Sequence, residues 1–398
     1  MMRTLVVWGA GRIGRGFTAD LFHEPHWRTV FVDIDARLIR LLNERRAYTI
    51  FKAQSGGVSR TLIEGGFSAL HTDETAALET LFEENGLLVD IAVPRESLEQ
   101  VADMIAPLIA HRARVNPAPM DFMMNVNTAL PNAAFAMLLE QRLTGEAYIY
   151  YKNNVGVSTA AALCISPFAT EAMLREDPLA LLNNGYAEMA VGRQAFKGAL
   201  PGVPRIRLSD DIQAEEIRRL YTLNMAHALC CYLGVKKGYR TVLEAVKDPE
   251  LRNVLKCAFE EASRGLQAVY GFSAEAMAAW RGVILELLDN PYINDDLSRL
   301  GTDTRRKLSA SDRLCGPALM CLSAGGQPRA IARAIRAGFD YEANDAGTRY
   351  VRSWVATHGL PSAVREICRL TPCDKLYQMI LDSDEKLLSQ RASRRRVP

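Results

Sequence analysis

The 398-residue chain lacks a long apolar run and an excess of charge of either sign. No apolar stretch approaches the roughly 20 residues that a bilayer-spanning helix needs. The apolar residues 4–8 pass directly into glycines, without the longer apolar region and cleavage site of a signal peptide. The net charge of +2 gives no general reason to expect nucleic acid or an anionic membrane as a partner. We therefore expect a cytoplasmic protein that acts on a small molecule.

Recognisable patterns of cysteine and histidine are also missing. The eight cysteines include no C-x-x-C pair, and most lie among apolar residues, as Cys164 does between Leu163 and Ile165. Such cysteines are typical of reduced core thiols rather than of a disulfide framework or a zinc site. The six histidines show no H-E-x-x-H or comparable ligand spacing, so we expect no metal.

The predicted secondary structure of the chain changes near its middle. Apolar runs that predict strands alternate with helical patterns in the first half, and long helical patterns dominate after about residue 212. We predict an α/β protein with an N-terminal Rossmann-type doubly wound parallel sheet, followed by a mostly α-helical C-terminal domain. The predicted limits are residues 1–196 and 197–390, with a basic, disordered tail at 391–398. Four of the predicted strands are residues 28–32, 86–93, 120–126 and 147–152.

A glycine-rich turn follows the first predicted strand, in the order Gly9-Ala10-Gly11-Arg12-Ile13-Gly14. In a strand–turn–helix context this G-x-G-x-x-G spacing predicts a dinucleotide site. The first glycine allows the tight turn, the second lets the backbone approach a pyrophosphate, and the third permits close helix–strand packing. The alternative is a tight turn without a ligand.

An acidic residue, Asp33, ends the second predicted strand, 24 residues after Gly9. It is placed to bind the adenosine ribose hydroxyls, and its charge would repel a 2′-phosphate, so NAD is favoured over NADP. The strand at residues 86–93 ends at Val93, which we expect to border the nicotinamide because ligands bind outside the carboxyl ends of parallel strands. Arg12 and Arg15 could add positive charge near the phosphates, or could simply be solvated.

A second candidate site lies in residues 219–227. At about 100° per residue, an α-helix would place Arg219, Asn224 and His227 in one sector of an otherwise apolar surface. A guanidinium, an amide and an imidazole that point the same way predict a polar site. The alternative is a core helix with one hydrogen-bonded histidine and one surface arginine.

These features resemble the polyol-specific long-chain dehydrogenase/reductases, the mannitol dehydrogenase family. The likeness rests on the glycine motif and Asp33, and on segments of the second half: 196–201, 220–224, 289–292 and 306–314. The resemblance implies a Rossmann domain, a helical substrate domain, a monomer, and hydride transfer between NAD and a polyol or polyol phosphate. In the family motif K-x-x-x-x-N-x-x-H, Asn224 becomes an oxyanion donor and His227 orients the reacting oxygen. A second family asparagine falls on Asn127.

The chain departs from the family at two places. Arg219 stands where the family has its acid/base lysine, and an arginine is effectively never deprotonated near neutral pH. Ala162 and Leu163 replace the Asp–Arg pair of the family's V-D-R-I-V-P run. One hypothesis is an enzyme in which Arg219 stabilises developing charge and His227, whose ordinary pKa is near 6.5, moves the proton. The other is a non-catalytic, vestigial dinucleotide-binding homologue, or a reductase of a different sugar acid.

Three further basic residues are candidates for the site. Lys152 is a possible proton donor if its predicted strand ends at the site, although a surface lysine is the simpler interpretation. Lys307 and Arg313 lie in a basic segment that could hold an anionic group of the substrate. Arg313 follows Asp312, so an internal ion pair is the alternative for that residue.

Overall fold

The computed structural model of the chain describes residues 2–128, 130–293 and 295–383. Its contacts divide it into two compact units, Met1–Glu216 and Ile217–Pro398. The sequence placed the boundary at residues 196/197. The division falls later because a strand at Ile206–Ser209 still pairs with a strand at Met189–Gly192 in the first unit. The predicted tail at residues 391–398 lies outside the described residues.

Eleven strands occur in the described part of the first unit. They are β1 (Arg3–Trp8), β2 (Trp27–Asp33), β3 (Ala47–Gln54), β4 (Gly57–Glu64), β5 (Phe67–His71), β6 (Leu87–Ile91), β7 (Met120–Met124), β8 (Val155–Ala161), β9 (Leu181–Asn183), β10 (Met189–Gly192) and β11 (Ile206–Ser209). Eight of them form one sheet in the order β11-β10-β8-β7-β6-β1-β2-β5. The strands from β8 to β5 are parallel, and β10 joins β8 antiparallel. The predicted parallel sheet is therefore confirmed.

Both faces of this sheet are buried. Along β1, Val6 and Trp8 belong to the hydrophobic cluster on one face, and Leu5 and Val7 belong to the cluster on the other. A strand that is covered on both faces has no solvent-facing positions, which explains why its sequence is continuously apolar. The other three strands form a small sheet in the order β4-β3-β9.

The helices of the first unit alternate with its strands along the sequence. They are α1 (Ala19–Leu21), α2 (Ala36–Arg45), α3 (Thr75–Phe82), α4 (Leu98–Val115), α5 (Pro131–Glu140), α6 (Gly145–Asn154) and α7 (Glu171–Glu176). A π-turn at Gly14–Thr18 precedes α1. Helix α2 begins at its N-cap Asp35, whose side chain accepts hydrogen bonds from two backbone N–H groups of the first turn.

One predicted strand, residues 147–152, is wrong. Those residues belong to helix α6, and the strand is β8, which begins at Val155. The run of tyrosines and isoleucine has high β-propensity, but its packing decides otherwise. Tyr150 and Tyr151 are buried, and the hydroxyl of Tyr150 donates to the carbonyl oxygen of Ala118 at 2.8 Å. Tertiary packing has therefore overridden the local preference.

The second unit is helical. Its helices are α9 (Met225–Lys236), α10 (Val242–Lys247), α11 (Pro249–Tyr270), α12 (Ala274–Leu288), α13 (Leu297–Gly301), α14 (Thr304–Lys307), α15 (Cys315–Ser323), α16 (Arg329–Asp340), α17 (Ala346–Cys368) and α18 (Lys375–Leu381). Helix α8 (Ile212–Arg219) spans the division between the units. The mostly helical C-terminal part is confirmed. Within the described residues, no helix is long and apolar enough to cross a membrane.

Candidate active site

The glycine turn after β1 is shaped by close backbone packing. Gly9 has φ +99°, and a Cβ there would lie 2.6 Å from the carbonyl oxygen of Ala92. A Cβ on Gly14 would lie 2.1 Å from the carbonyl oxygen of Gly9. By contrast, a Cβ on Gly11 would meet no atom within 4 Å. The first and third glycines therefore permit the fold, and the second leaves open the space that a dinucleotide diphosphate requires.

Asp33, at the end of the neighbouring strand β2, is hydrogen-bonded to the same turn. Its carboxylate accepts hydrogen bonds from the backbone N–H of Ala10 at 2.8 Å and of Asp35 at 3.0 Å. The side chain thus ties the end of β2 to the glycine turn. Ile13, the fifth residue of the motif, is partly buried against the hydrophobic cluster under the turn. The residues present fit the adenosine and diphosphate half of a dinucleotide.

The two arginines of the turn have different roles. The guanidinium of Arg12 donates to the carbonyl oxygen of Ser166 at 2.7 Å and lies 4.1 Å from the ring centre of Phe168. Arg15 is buried, and its Nε donates to the carbonyl oxygen of Ala10 at 2.6 Å. Burial lowers the pKa of Arg15. Arg15 therefore supports the backbone of the turn, and Arg12 is the more accessible of the two cations.

At the ends of the central strands, the structure adds a group that the sequence did not indicate. Asp90 of β6 is fully buried, and burial raises its pKa to about 7, with the hydroxyl of Thr18 acting in the opposite direction. The side-chain amide of Asn125 donates to the same hydroxyl at 3.1 Å. The sequence did not indicate Asp90, because a single carboxylate among apolar strand residues produces no periodic pattern.

Of the other residues predicted near these strand ends, Val93 is partly buried and Asn127 is exposed.

In the second unit, the polar stretch is not a uniform α-helix. Helix α8 ends at Arg219, and a π-turn occupies Leu220–Asn224 before α9 begins. The backbone N–H of Met225 donates to the carbonyl oxygen of Leu220, five residues back. The constant 100° per residue assumed from the sequence therefore fails across this stretch. Single π-turns inside helices are frequent at functional sites.

The three polar residues of the stretch differ in exposure. Asn224 is buried, whereas Arg219 and His227 retain part of their surface. The pKa of His227 is lowered to about 4, mainly by burial, with the charge of Asp295 acting in the opposite direction and the charges of Arg299, Arg313 and Lys307 lowering it further. The imidazole is therefore neutral at pH 7, which differs from the near-neutral titration that its ordinary pKa suggested.

Lys307 and Arg313 lie near His227, but both are engaged internally. Lys307 is 6% exposed, and its ammonium donates to the carbonyl oxygens of Leu300, at 2.6 Å, and of Thr302. Burial, followed by the charge of Arg313, lowers the pKa of Lys307 to about 7. Arg313 is 5% exposed, and its Nε donates to Asp312 Oδ1 at 2.6 Å. The ion pair considered as the alternative for Arg313 is therefore formed.

Lys152 lies on the surface of α6. Its ammonium pairs with Glu140 Oε1 at 2.8 Å, and about half of the side chain is exposed. The proposal that a strand carries Lys152 into a site was wrong, because the residue is helical. An exposed pair with a neighbouring helix is the simpler role.

Family models match both parts of the chain. The mannitol dehydrogenase Rossmann domain matches residues 3–204, and the mannitol dehydrogenase C-terminal domain matches residues 211–355. Mannitol-1-phosphate 5-dehydrogenase of Bacillus velezensis is 30% identical over 381 residues, which covers 94% of this chain and 97% of that protein. The enzyme of the same name from Bacillus licheniformis is 29% identical over 376 residues, with the same coverage of both chains.

Solved structures share the fold at lower identity. The chain resembles mannitol 2-dehydrogenase of Pseudomonas fluorescens, solved as a ternary complex with NAD and D-mannitol. The TM-score is 0.82 at 16% identity, covering 99% of this chain and 93% of that one. A D-sorbitol dehydrogenase in substrate-free form gives a TM-score of 0.75 at 15% identity, covering 96% and 92%. With both family models matched along most of its length, the chain belongs to the mannitol dehydrogenase family of oxidoreductases.

Proposed function

We propose that the chain is an NAD-dependent dehydrogenase that interconverts a polyol or polyol phosphate and the corresponding keto sugar by hydride transfer. The observation that carries the proposal is the open glycine turn beside Asp33, in a family whose relatives include mannitol-1-phosphate 5-dehydrogenases. Free thiols are consistent with the cytoplasmic location expected from the sequence.

The cofactor is NAD rather than NADP. The carboxylate of Asp33 stands at the end of β2, where it would bind ribose hydroxyls and repel a 2′-phosphate. NAD is also the cofactor in the related mannitol 2-dehydrogenase complex. The residues that would hold it are Gly9, Ala10, Gly11, Arg12, Ile13, Gly14, Asp33 and Val93. When bound, NAD supplies a nicotinamide carbon that accepts or donates the hydride.

Charge stabilisation comes from Arg219, Asn224 and Asn127. As a carbonyl oxygen gains negative charge, a fixed guanidinium and amide donors lower the energy of that charged state. Arg219 cannot remove the proton of an alcohol near neutral pH, because an arginine is effectively never deprotonated there. The arginine therefore polarises the reacting oxygen and is not the acid/base.

His227 orients the reacting oxygen by hydrogen bonding. Because its pKa is lowered to about 4, the imidazole holds no extra proton at pH 7. It can accept a hydrogen bond at one ring nitrogen and donate at the other. The proton of the alcohol is released to bulk solvent through a water that His227 holds, and a proton is taken up from solvent by the same route when the carbonyl is reduced. Lys307 and Arg313 are not assigned to the substrate, because Lys307 donates to two backbone carbonyl oxygens and Arg313 is paired with Asp312.

One observation favours a second candidate. Arginine at position 219 removes the group that could act as a base, as expected of a dinucleotide-binding homologue that has lost turnover. The two candidates predict different ligand responses. A dehydrogenase binds both NAD and a polyol or sugar phosphate, whereas a vestigial protein binds the dinucleotide alone.

A thermal-shift panel tests the proposal. NAD, NADP, polyols and sugar phosphates are each added at concentrations well above an expected dissociation constant, and sugars are tested with and without NAD. A ligand at 100 times its dissociation constant stabilises by about 2.7 kcal/mol, which gives a measurable shift. We expect NAD to stabilise more than NADP, and a polyol or sugar phosphate to add a further shift. A panel in which no sugar ligand adds to NAD contradicts the proposal.

A further inference from the structure

The π-turn at Leu220–Asn224 is bonded to a helix that lies far away in the sequence. The indole N–H of Trp280, on α12, donates to the hydroxyl oxygen of Thr222 at 2.9 Å. That hydroxyl in turn donates to the carbonyl oxygen of Arg218, four residues back. Thr222 is 1% exposed, so its hydroxyl is shielded from solvent, whereas Trp280 and Arg218 are partly exposed.

Trp280 also forms a cation–π contact with Arg218, as does Phe272. The guanidinium of Arg218 lies 4.0 Å from the ring centre of Trp280 and 4.7 Å from that of Phe272. Such contacts are attractive because the face of an aromatic ring carries partial negative charge. Trp280 therefore contacts both Arg218, immediately before Arg219, and Thr222, two residues before Asn224.

A π-turn requires such support. Its i→i+5 pattern adds one residue to the helical turn and disturbs the regular sequence of carbonyl acceptors, so the turn is rare unless its surroundings stabilise it. Here the Thr222 hydroxyl donates to the carbonyl oxygen of Arg218 and accepts one hydrogen bond from the indole N–H. The hydroxyl of Tyr221, the residue before Thr222, donates to the carbonyl oxygen of Ser311 at 3.2 Å.

We propose that Trp280 is a positioning residue. Through Thr222 and Arg218 it holds the π-turn, and the π-turn sets the directions of Arg219 and Asn224. The inference rests on the proposed function for its effect on turnover, because Arg219 and Asn224 are the groups proposed to stabilise charge. Its structural part, the dependence of the π-turn on the indole N–H, stands independently of the substrate.

Three variants isolate the bond. W280F keeps an aromatic ring beside Arg218 and removes the N–H donor. T222V removes the hydroxyl at nearly constant volume, and T222S restores it. W354F is the matched control, because the Trp354 indole donates to Ser362 Oγ at 3.3 Å elsewhere in the second unit. Steady-state kinetics, NADH affinity and amide hydrogen exchange of peptides covering residues 217–226 are measured for each.

W280F and T222V are expected to lower kcat about fivefold, as a neutral hydrogen bond of ordinary strength implies. Exchange at residues 217–226 should be faster in both, with NADH affinity unchanged. The double variant should lose no more than either single one, because both remove the same bond. T222S and W354F should behave as wild type.

Exchange in W280F or T222V that matches W354F overturns the inference, as does faster exchange that is equally distributed over the whole chain. If the wild-type chain turns over no polyol or keto sugar, the proposed function fails. The exchange measurements then decide by themselves whether Trp280 holds the π-turn.

Discussion

Asp33 and Ala10 are joined across the glycine turn by a hydrogen bond of 2.8 Å, from the backbone N–H of Ala10 to Asp33 Oδ2. The carboxylate that is placed to select the cofactor is thus also part of the loop that would hold its diphosphate. Because both functions belong to one side chain, charge and hydrogen bonding must be separated experimentally.

D33N makes that separation. Asparagine keeps an acceptor for the Ala10 N–H and removes the negative charge, so we expect the preference for NAD over NADP to fall by about tenfold or more. The ratio of NADH to NADPH dissociation constants, measured by fluorescence titration, checks this. D35N is the matched control, because Asp35 caps α2 and asparagine caps equally well. An unchanged ratio in D33N would mean that another group selects the cofactor.

The glycines of the turn should separate folding from binding. G11A adds a methyl group where no atom lies within 4 Å, so its melting temperature should remain close to that of wild type while NADH affinity falls. G14A places a Cβ 2.1 Å from the carbonyl oxygen of Gly9, so the melting temperature should fall by several degrees. Equal melting temperatures for the two variants would contradict the packing described for Gly14.

Asp90 should make stability decrease as pH rises. Its pKa is raised from 3.8 in the unfolded chain to about 7 in the folded one, so its contribution is complete below pH 3.8 and is lost as pH rises towards 7 and above. D90N removes this titration. We expect D90N to be more stable than wild type at pH 8.5, with the difference shrinking towards pH 5, as measured by urea unfolding. A difference independent of pH would show that Asp90 does not titrate in this range.

His227 should remain neutral across the assay range. Burial lowers its pKa to about 4, so a plot of log kcat against pH should show no inflection from this residue between pH 6 and 9. H227Q, which keeps hydrogen-bonding capacity, is expected to retain more activity than H227A and to leave the shape of the profile unchanged. An inflection near pH 6.5 that disappears in H227Q would instead identify His227 as a titrating acid/base.

Local patterns predicted the parts of the fold whose signals lie within one element. Helix α2 carries signals of this kind, an N-cap aspartate and an amphipathic pattern. The parallel sheet followed from the apolar β1 and the glycine turn. The strand predicted at 147–152 failed because the buried tyrosines of α6 gain more from helix packing than their β-propensity indicates.

The residues of the candidate site were proposed from the sequence, but their geometry was not. Asn224 and His227 were singled out from sequence alone, yet the π-turn between Arg219 and His227 depends on contacts with Trp280, 58 residues from Thr222. The sequence also left open whether Arg313 forms an ion pair or contacts the substrate. The structure decides this, because the guanidinium is directed towards Asp312. The π-turn depends on a residue distant in the sequence, and the ion pair depends on a side-chain conformation, so a local pattern determines neither of them.

The most direct test of the central proposal is isotope transfer. NADH carrying deuterium at C4 of the nicotinamide is incubated with the wild-type chain and a panel of keto sugars and keto-sugar phosphates, including fructose 6-phosphate. Mass spectrometry then measures deuterium at carbon in the polyol product, and R219K is run in parallel. We expect wild type to transfer one deuterium to at least one member of the panel. Transfer by R219K alone, with none by wild type, would contradict the proposal that the native chain is a working dehydrogenase.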